Sequence, residues 1–332
     1  MSILDAVRNV GSELARFVRR AGQPVPKIRL EAFAPTDPTL YAPPLSPALL
    51  RYPGSVATRE GSTERLLSSL CRAEMLESEA FRYWIGRLKE DWHYHRKLWE
   101  WAYICQAMYE RGMLDQGKRG VVFAVGRESL PALFASFGCS IVATDLAADD
   151  PRATGWATSG EWAKTLEELN RLGLCPDPLF RERVSFRPVD MNHIPADLRG
   201  FDFSWSSCSF EHCGSLELGV EFLIHQMECL RPGGVAVHTT EFNLTSNTNT
   251  VRTGRTVIYR RSDIEAIVRR LAALGHSTEL LDLTVGTHPL DWHVDERPYS
   301  IDRHLRKRQG RYATTSIGLI ITKSAAAAAG AS

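Results

Sequence analysis

Histidines and carboxylates gather at three places in the second half of the chain. SFEHC holds Glu211 and His212, VHTTEFN holds His238, Glu241 and Asn243, and THPLDWHVDERPY holds His288, Asp291, His293, Asp295 and Glu296. Histidine titrates near neutral pH, so it suits removal of a proton from a hydroxyl. His212 is the first candidate for that base, with Glu211, His238, Glu241, His288 and His293 as further candidates. The carboxylates Glu211, Glu241 and Asp291 are also the residue types that would hold a hard divalent cation such as magnesium. Spacing over separate loops is no ligand signature, so a metal is an open alternative. A second group lies earlier. In GVVFAVGRESLPALFASFGCSIVATD an apolar stretch enters a turn at Gly126, and a second apolar stretch ends at Asp145. Glycine lets backbone approach a ligand closely, and an acid about 20 residues further on suits the hydroxyls of a ribose. A second acid of this group, Asp190, ends VSFRPVD and suits an adenine amino group.

Such residues meet only if strands carry them to one edge. From Lys118 the pattern alternates between strands and helices. Strands are predicted at 119–125, 140–144, 184–189, 201–206, 234–241, 277–284 and 313–322, with helices near 129–137, 159–173, 215–230 and 262–274. This alternation predicts an α/β domain over 118–323 with helices on both faces of a seven-stranded, mostly parallel sheet. Ligands of such sheets sit at the carboxyl ends of the strands.

In front lie residues 1–117. Residues 3–20 show apolar side chains at helical spacing among arginines, an amphipathic helix suited to a partner, a second copy of the chain or a membrane surface. Residues 21–57 are proline-rich and read as an extended arm, which closes a first segment at residue 60. Residues 61–117 read as a helical cap. Its DWHYHRKLWEW stretch is the candidate lid, bringing His93, His95, Lys97 and Trp99 over the site. Residues 324–332 read as a disordered tail. Between the last two strands, 288–312 is an insertion whose end is basic. Arg303, Arg306, Lys307, Arg308 and Arg311 there face only Asp302, either as a solvated surface or as a patch for an acidic partner such as RNA.

Composition narrows the classes. The 332 residues carry 40 Lys+Arg against 39 Asp+Glu, a net charge of +1, unlike a dedicated DNA binder. No apolar run reaches the roughly 18–20 residues of a membrane span. The opening residues lack a signal peptide's apolar core. Seven cysteines without a CxxC spacing read as reduced thiols. A cytoplasmic chain is expected, with peripheral contact at an inner membrane left open.

The order of parts, the LRPGG turn before the fifth strand and the last strand ATTSIGLIITK together resemble a class I S-adenosylmethionine-dependent methyltransferase, of the Rossmann-like fold. The resemblance covers 118–323 and extends in general look to enzymes of bacterial glycan biosynthesis clusters. It implies S-adenosyl-L-methionine as cofactor. Gly126 takes the place of the cofactor-loop glycine, and Asp145, followed by Leu146, that of the ribose acid. Asp190 and Met191 take the adenine positions, and Ser206 and Ser207 lie beside the methionine portion. Ala124 stands where that family's loop carries an acid, and Glu128 is the nearby carboxylate expected to substitute for it. The resulting expectation is O-methylation of a sugar, glycan or similar polar metabolite. RNA or protein methylation through 303–311 and a non-catalytic scaffold on the same fold are the alternatives.

Overall fold

The computed structural model describes residues 65–153, 162–163 and 165–325. The helix expected at 3–20, the proline-rich arm and most of the tail lie outside these residues. So does the oligomer contact that the first helix was expected to make.

The central sheet runs β5 (Val184–Pro188), β4 (Ser140–Asp145), β3 (Arg119–Val122), β6 (Phe201–Ser207), β7 (Leu230–Asn243) and β13 (Tyr312–Thr322). The first five are parallel and β13 is antiparallel to β7. The sheet is α/β and mostly parallel, but it has nine strands rather than seven. Two additions come from the insertion. β12 (Arg306–Gln309) forms a hairpin with β13, and β10 (Val294–Asp295) pairs with β12.

The sixth expected strand, 277–284, is broken into β8 (Ser277–Thr278) and β9 (Leu281–Asp282). The cause is competition for one edge. β8 pairs with the end of β13, whereas the middle of β13 is taken by Leu70 and Cys71, through a bridge to Ile317 and a hydrogen bond from Cys71 N to Ser316 O. β9 turns away to pair with β1 (Ser68–Ser69). Residues 65–71, expected to be helical, are therefore extended.

Three helices follow in place of the continuous helical stretch. α1 (Ala73–Glu77) stops at Ser78, whose extended backbone and Oγ start α2 (Glu79–Arg87) by accepting from Phe81 N. α3 (Arg96–Glu110) begins at His95, whose Nδ1 accepts from Lys97 N at 3.0 Å. α3 packs lengthwise on β6, β7 and β13. A Cβ on Gly318 would lie 2.2 Å from the Tyr103 ring, so this approach requires glycine there. α4 (Leu130–Ser136) lies on the same face, its Phe134 edge-on to Phe203 and Trp205.

The opposite face carries α6 (Leu216–His225) and α7 (Arg261–Ala273), after the short α5 (Asp177–Arg183), which precedes β5. Phe222, Ile264, Ile267 and Leu271 close there on Val121, Ala236, Phe242, Ile317 and Leu319. The central strands β3, β6, β7 and β13 therefore send alternate side chains to two buried layers. The helix expected at 159–173 is, in its described part, a 3-10 turn at Leu166–Asn170. No helix among the described residues is long and apolar enough to cross a membrane.

Candidate functional site

Strand order reverses at β3, with β4 on one side and β6 on the other, which opens a crevice at their carboxyl ends. Two non-glycine residues there hold left-handed backbone, Ala124 after β3 (φ 51) and Cys208 after β6 (φ 51). Such conformations cost roughly 1–3 kcal/mol and cluster at functional sites. Beyond Ala124 the chain turns at Gly126, also left-handed (φ 54). Gly126 N donates to Asp145 Oδ2 and Leu146 N to Asp145 Oδ1, both at 2.8 Å. The carboxylate thus ties the loop to the end of β4. Burial pushes its pKa up, against the pull of these two amides. Each oxygen keeps a second lone pair for a ligand.

On the β5 side, Asp190 accepts from Asn192 N, from Arg152 Nη2 at 2.9 Å and from His193 Nδ1 at 3.1 Å. These contacts hold its carboxyl below the usual range despite burial. The neighbouring Asn192 carries an unsatisfied acceptor. Its amide nitrogen donates to Cys213 O, while its Oδ1 is buried with no partner. Met191 packs half-buried against the core.

Glu128 is buried beneath the loop and accepts from Trp205 Nε1 at 2.7 Å. Burial pushes its pKa up to about 7. A carboxyl raised this way stabilises the fold fully below its unfolded pKa near 4.5, and that contribution is lost as pH rises to about 7. Glu128→Gln removes the ionisation. Its stability advantage over the wild type is expected to grow between pH 5 and 7, by at most about 1.4 kcal/mol per pH unit, and to level off above. Urea unfolding at pH 5, 6 and 8 without ligand checks this, and a constant difference contradicts it.

On the β6–β7 side, the first turn of α3 meets the strand ends. Lys97 Nζ reaches Ser207 O at 3.3 Å and Glu100 Oε2 at 2.6 Å. Glu100 also accepts from Ser207 Oγ, Cys208 Sγ and Ser316 Oγ. Arg96 pairs with Glu241 at 2.6 Å, and Lys307 approaches the same oxygen at 2.5 Å. Although burial opposes ionisation, the neighbouring cations hold Glu100 and Glu241 well below the usual carboxylate range. Glu211, buried and accepting from Thr240 Oγ1, is shifted up by burial; the nearby His212 opposes this and Glu241 reinforces it.

Strand alternation separates the other expected residues. Ser207 and Glu241 face α3. Ser206 and His238 face α6, where Ser206 Oγ and His238 Nδ1 meet at 2.8 Å beside Phe210 and Phe222. His238 is fully buried, its pKa pushed down to about 3 by burial, and its Nε2 has no partner. His212 is half-buried after β6, its Nδ1 2.6 Å from Arg255 O. His288 stacks on Tyr94 with its Nδ1 accepting from Leu290 N, and His293 is half-buried. Asn243 closes its own loop by accepting from Thr245 N and Ser246 N.

The carboxylates considered for a metal do not gather. Glu241 is held by Arg96 and Lys307, and Asp291 pairs with Arg306, while Glu211 takes Thr240. Among the described residues no group of three or more His, Cys, Asp or Glu side chains could hold an ion. Nor is the basic run a free patch. Arg306 is buried, Lys307 points to Glu241, Arg303 lies by Asp302 and Arg308 pairs with Glu296. Of the lid residues, Trp99 is buried against Tyr103, His93 bonds Asp91 O, and only Lys97 reaches a strand end.

Arg96, Glu100, Asn192 and Cys208 lie at the strand ends without having been expected there from the sequence. The one signal available was the HRKLWE run, whose spacing puts Arg96, Lys97 and Glu100 on one helix face.

No protein-family model matches the chain, and no curated protein matches it. Solved structures match at low similarity. An S-adenosylmethionine-dependent methyltransferase from Mesorhizobium loti is 13% identical, with 64% of this chain and 95% of that one covered and a TM-score of 0.38. The 1,6-didemethyltoxoflavin-N1-methyltransferase of Burkholderia thailandensis, bound to S-adenosylhomocysteine, is 13% identical over 76% and 81%, at 0.37. Phosphoethanolamine N-methyltransferase 2 of Haemonchus contortus, in complex with S-adenosyl-L-methionine, is 13% identical over 63% and 49%, at 0.36. Similarity this low carries no argument about the reaction.

Proposed function

We propose that the chain is an S-adenosyl-L-methionine-dependent methyltransferase acting on a hydroxyl of a sugar, glycan or similar polar metabolite. The observation that carries this reading is the closure of the Gly126 turn onto Asp145 at the switch point, with the unpartnered acceptor Asn192 Oδ1 nearby in sequence to Asp190. The donor set fits the cofactor. Asp145 has lone pairs for two ribose hydroxyls, Asn192 Oδ1 suits an adenine amino group, and Glu128, ionising near neutrality, suits an ammonium. When bound, the cofactor supplies an electrophilic methyl group. The chain's own groups bind, orient and keep charge in balance. Arg96, Lys97 and Lys307 are each ion-paired to Glu100 or Glu241, so no cation of this group is left without a carboxylate partner for a phosphate to replace. Balanced polar groups of this kind suit a neutral hydroxylated acceptor better than a nucleic acid.

The test is transfer of a radiolabelled methyl group from S-adenosyl-L-methionine into a cell extract separated into polar metabolites and glycans, RNA, and protein. Label in the first fraction is expected. Label confined to RNA or protein overturns the acceptor class, and bound cofactor without transfer to any fraction overturns the enzyme reading.

A further inference from the structure

The residues outside the expected site include an oriented histidine. β11 (Arg303–His304) pairs in parallel with β2 (Tyr94–His95), so the insertion is stitched to the start of α3. His304 Nδ1 lies 2.7 Å from Asp295 Oδ2, and that carboxylate is fixed in turn by Ser300 N at 2.8 Å. Both side chains are buried. A carboxylate at Nδ1 keeps the proton there and leaves Nε2 as the basic nitrogen. Among the described residues Nε2 has no hydrogen-bond partner, yet it is not one of the buried atoms cut off from solvent.

Contacts link this dyad to the end of β6. Lys97 Nζ touches Ser207 O, Lys97 N donates to His95 Nδ1, and the His95 ring stacks on His304 with centroids 4.9 Å apart. Tyr299 closes the other side of the His304 ring, 4.8 Å away. Among the described residues His95 and Tyr299 thus flank the His304 ring, and its Nε2 is left without a hydrogen-bond partner.

The geometry points to His304, positioned by Asp295, as the proton acceptor for the methylated hydroxyl. The inference rests on the methyltransferase reading. In the step, a lone pair of the hydroxyl oxygen forms the O–C bond to the methyl group, and the C–S bond breaks with its electron pair going to sulfur. The hydroxyl proton passes to His304 Nε2, and the imidazolium so formed faces Asp295. The charged and titratable groups around the ring are Asp295 on β10, His95 on β2, Arg96 on α3 and Lys307 on β12, with Tyr299 in the intervening loop. Burial, together with Arg96 and Lys307, holds the imidazole below its ordinary pKa, against the opposing pull of Asp295. At neutral pH it is therefore unprotonated and able to accept.

Two measurements test the dyad. The first is nitrogen NMR of the full-length chain with ring-labelled histidine, His304 being assigned through the His304→Gln variant or by sequential connectivity. His304 is expected as the Nδ1–H tautomer, and Asp295→Asn is expected to bring in the Nε2–H form. An Nε2–H tautomer in the wild type, or no change in Asp295→Asn, overturns the proposal. This readout needs no cofactor or acceptor, so it stands apart from failure of the methyltransferase reading.

The second uses the extract fraction that the wild type labels. His304→Gln is expected to transfer about 100- to 10,000-fold more slowly, with its S-adenosylhomocysteine dissociation constant unchanged. Asp295→Asn is expected to transfer more slowly than the wild type and to move the acid limb of the pH profile to lower pH, since the imidazole loses its anionic partner. Wild-type transfer by His304→Gln overturns the role of His304. An unmoved acid limb in Asp295→Asn overturns the positioning role of Asp295.

Discussion

Arg306→Ala is expected to lose about 3–5 kcal/mol of stability, the largest single loss at any residue discussed above. Arg306 is fully buried and pairs with the buried Asp291 at 3.2 Å. Its guanidinium also donates to the carbonyls of Val285, Asp291 and Leu305 and to Thr315 Oγ1. Truncation leaves a carboxylate in the interior without its cation and several carbonyls without a donor. Asp291 also accepts from Ala73 N and so anchors α1. Arg306→Met combined with Asp291→Asn is expected to recover much of the loss, because it removes both charges and keeps an acceptor for Ala73 N. Urea unfolding of the two variants checks this. A single variant within 1 kcal/mol of the wild type shows that the pair contributes little.

Asp145→Ala is expected to weaken S-adenosylhomocysteine binding by about 10- to 150-fold for each charge-assisted bond to a ribose hydroxyl, each worth roughly 1.5–3 kcal/mol. The loop loses its tie at the same time, since Gly126 N and Leu146 N both donate to this carboxylate. Asp145→Asn keeps one oxygen acceptor and is expected to fall between the wild type and Asp145→Ala. The ratio of dissociation constants at constant pH reads the effect. Unchanged affinity in Asp145→Ala removes the residue from the cofactor site.

The parts legible in the sequence are those set by local pattern. The apolar runs before Gly126 and Asp145 locate β3 and β4, and the acid meets the glycine turn as the spacing requires. The ends of β4, β5, β6 and β13 were legible to within one residue, but the face each side chain takes was not. Ser206 and Ser207 are neighbours in the sequence, yet one bonds His238 beneath α6 and the other meets Lys97 and Glu100 under α3. A shift of one residue along a strand exchanges the two layers.

Long-range pairing hid the rest. Arg306 and Lys307 sit in a run that reads as solvated surface, but as a strand next to β13 they point to Asp291 and Glu241. His304 gains its meaning only through Asp295 and His95, the latter more than 200 positions away in the chain. Residues 66–71 read as helix because nothing local announces that an open edge of β13 awaits them.

The most direct measurement is calorimetric titration of the full-length chain with S-adenosylhomocysteine. The account predicts saturable heat at one site per chain, together with a rise in the unfolding temperature at saturation. Neither heat nor a thermal shift at millimolar ligand would contradict it.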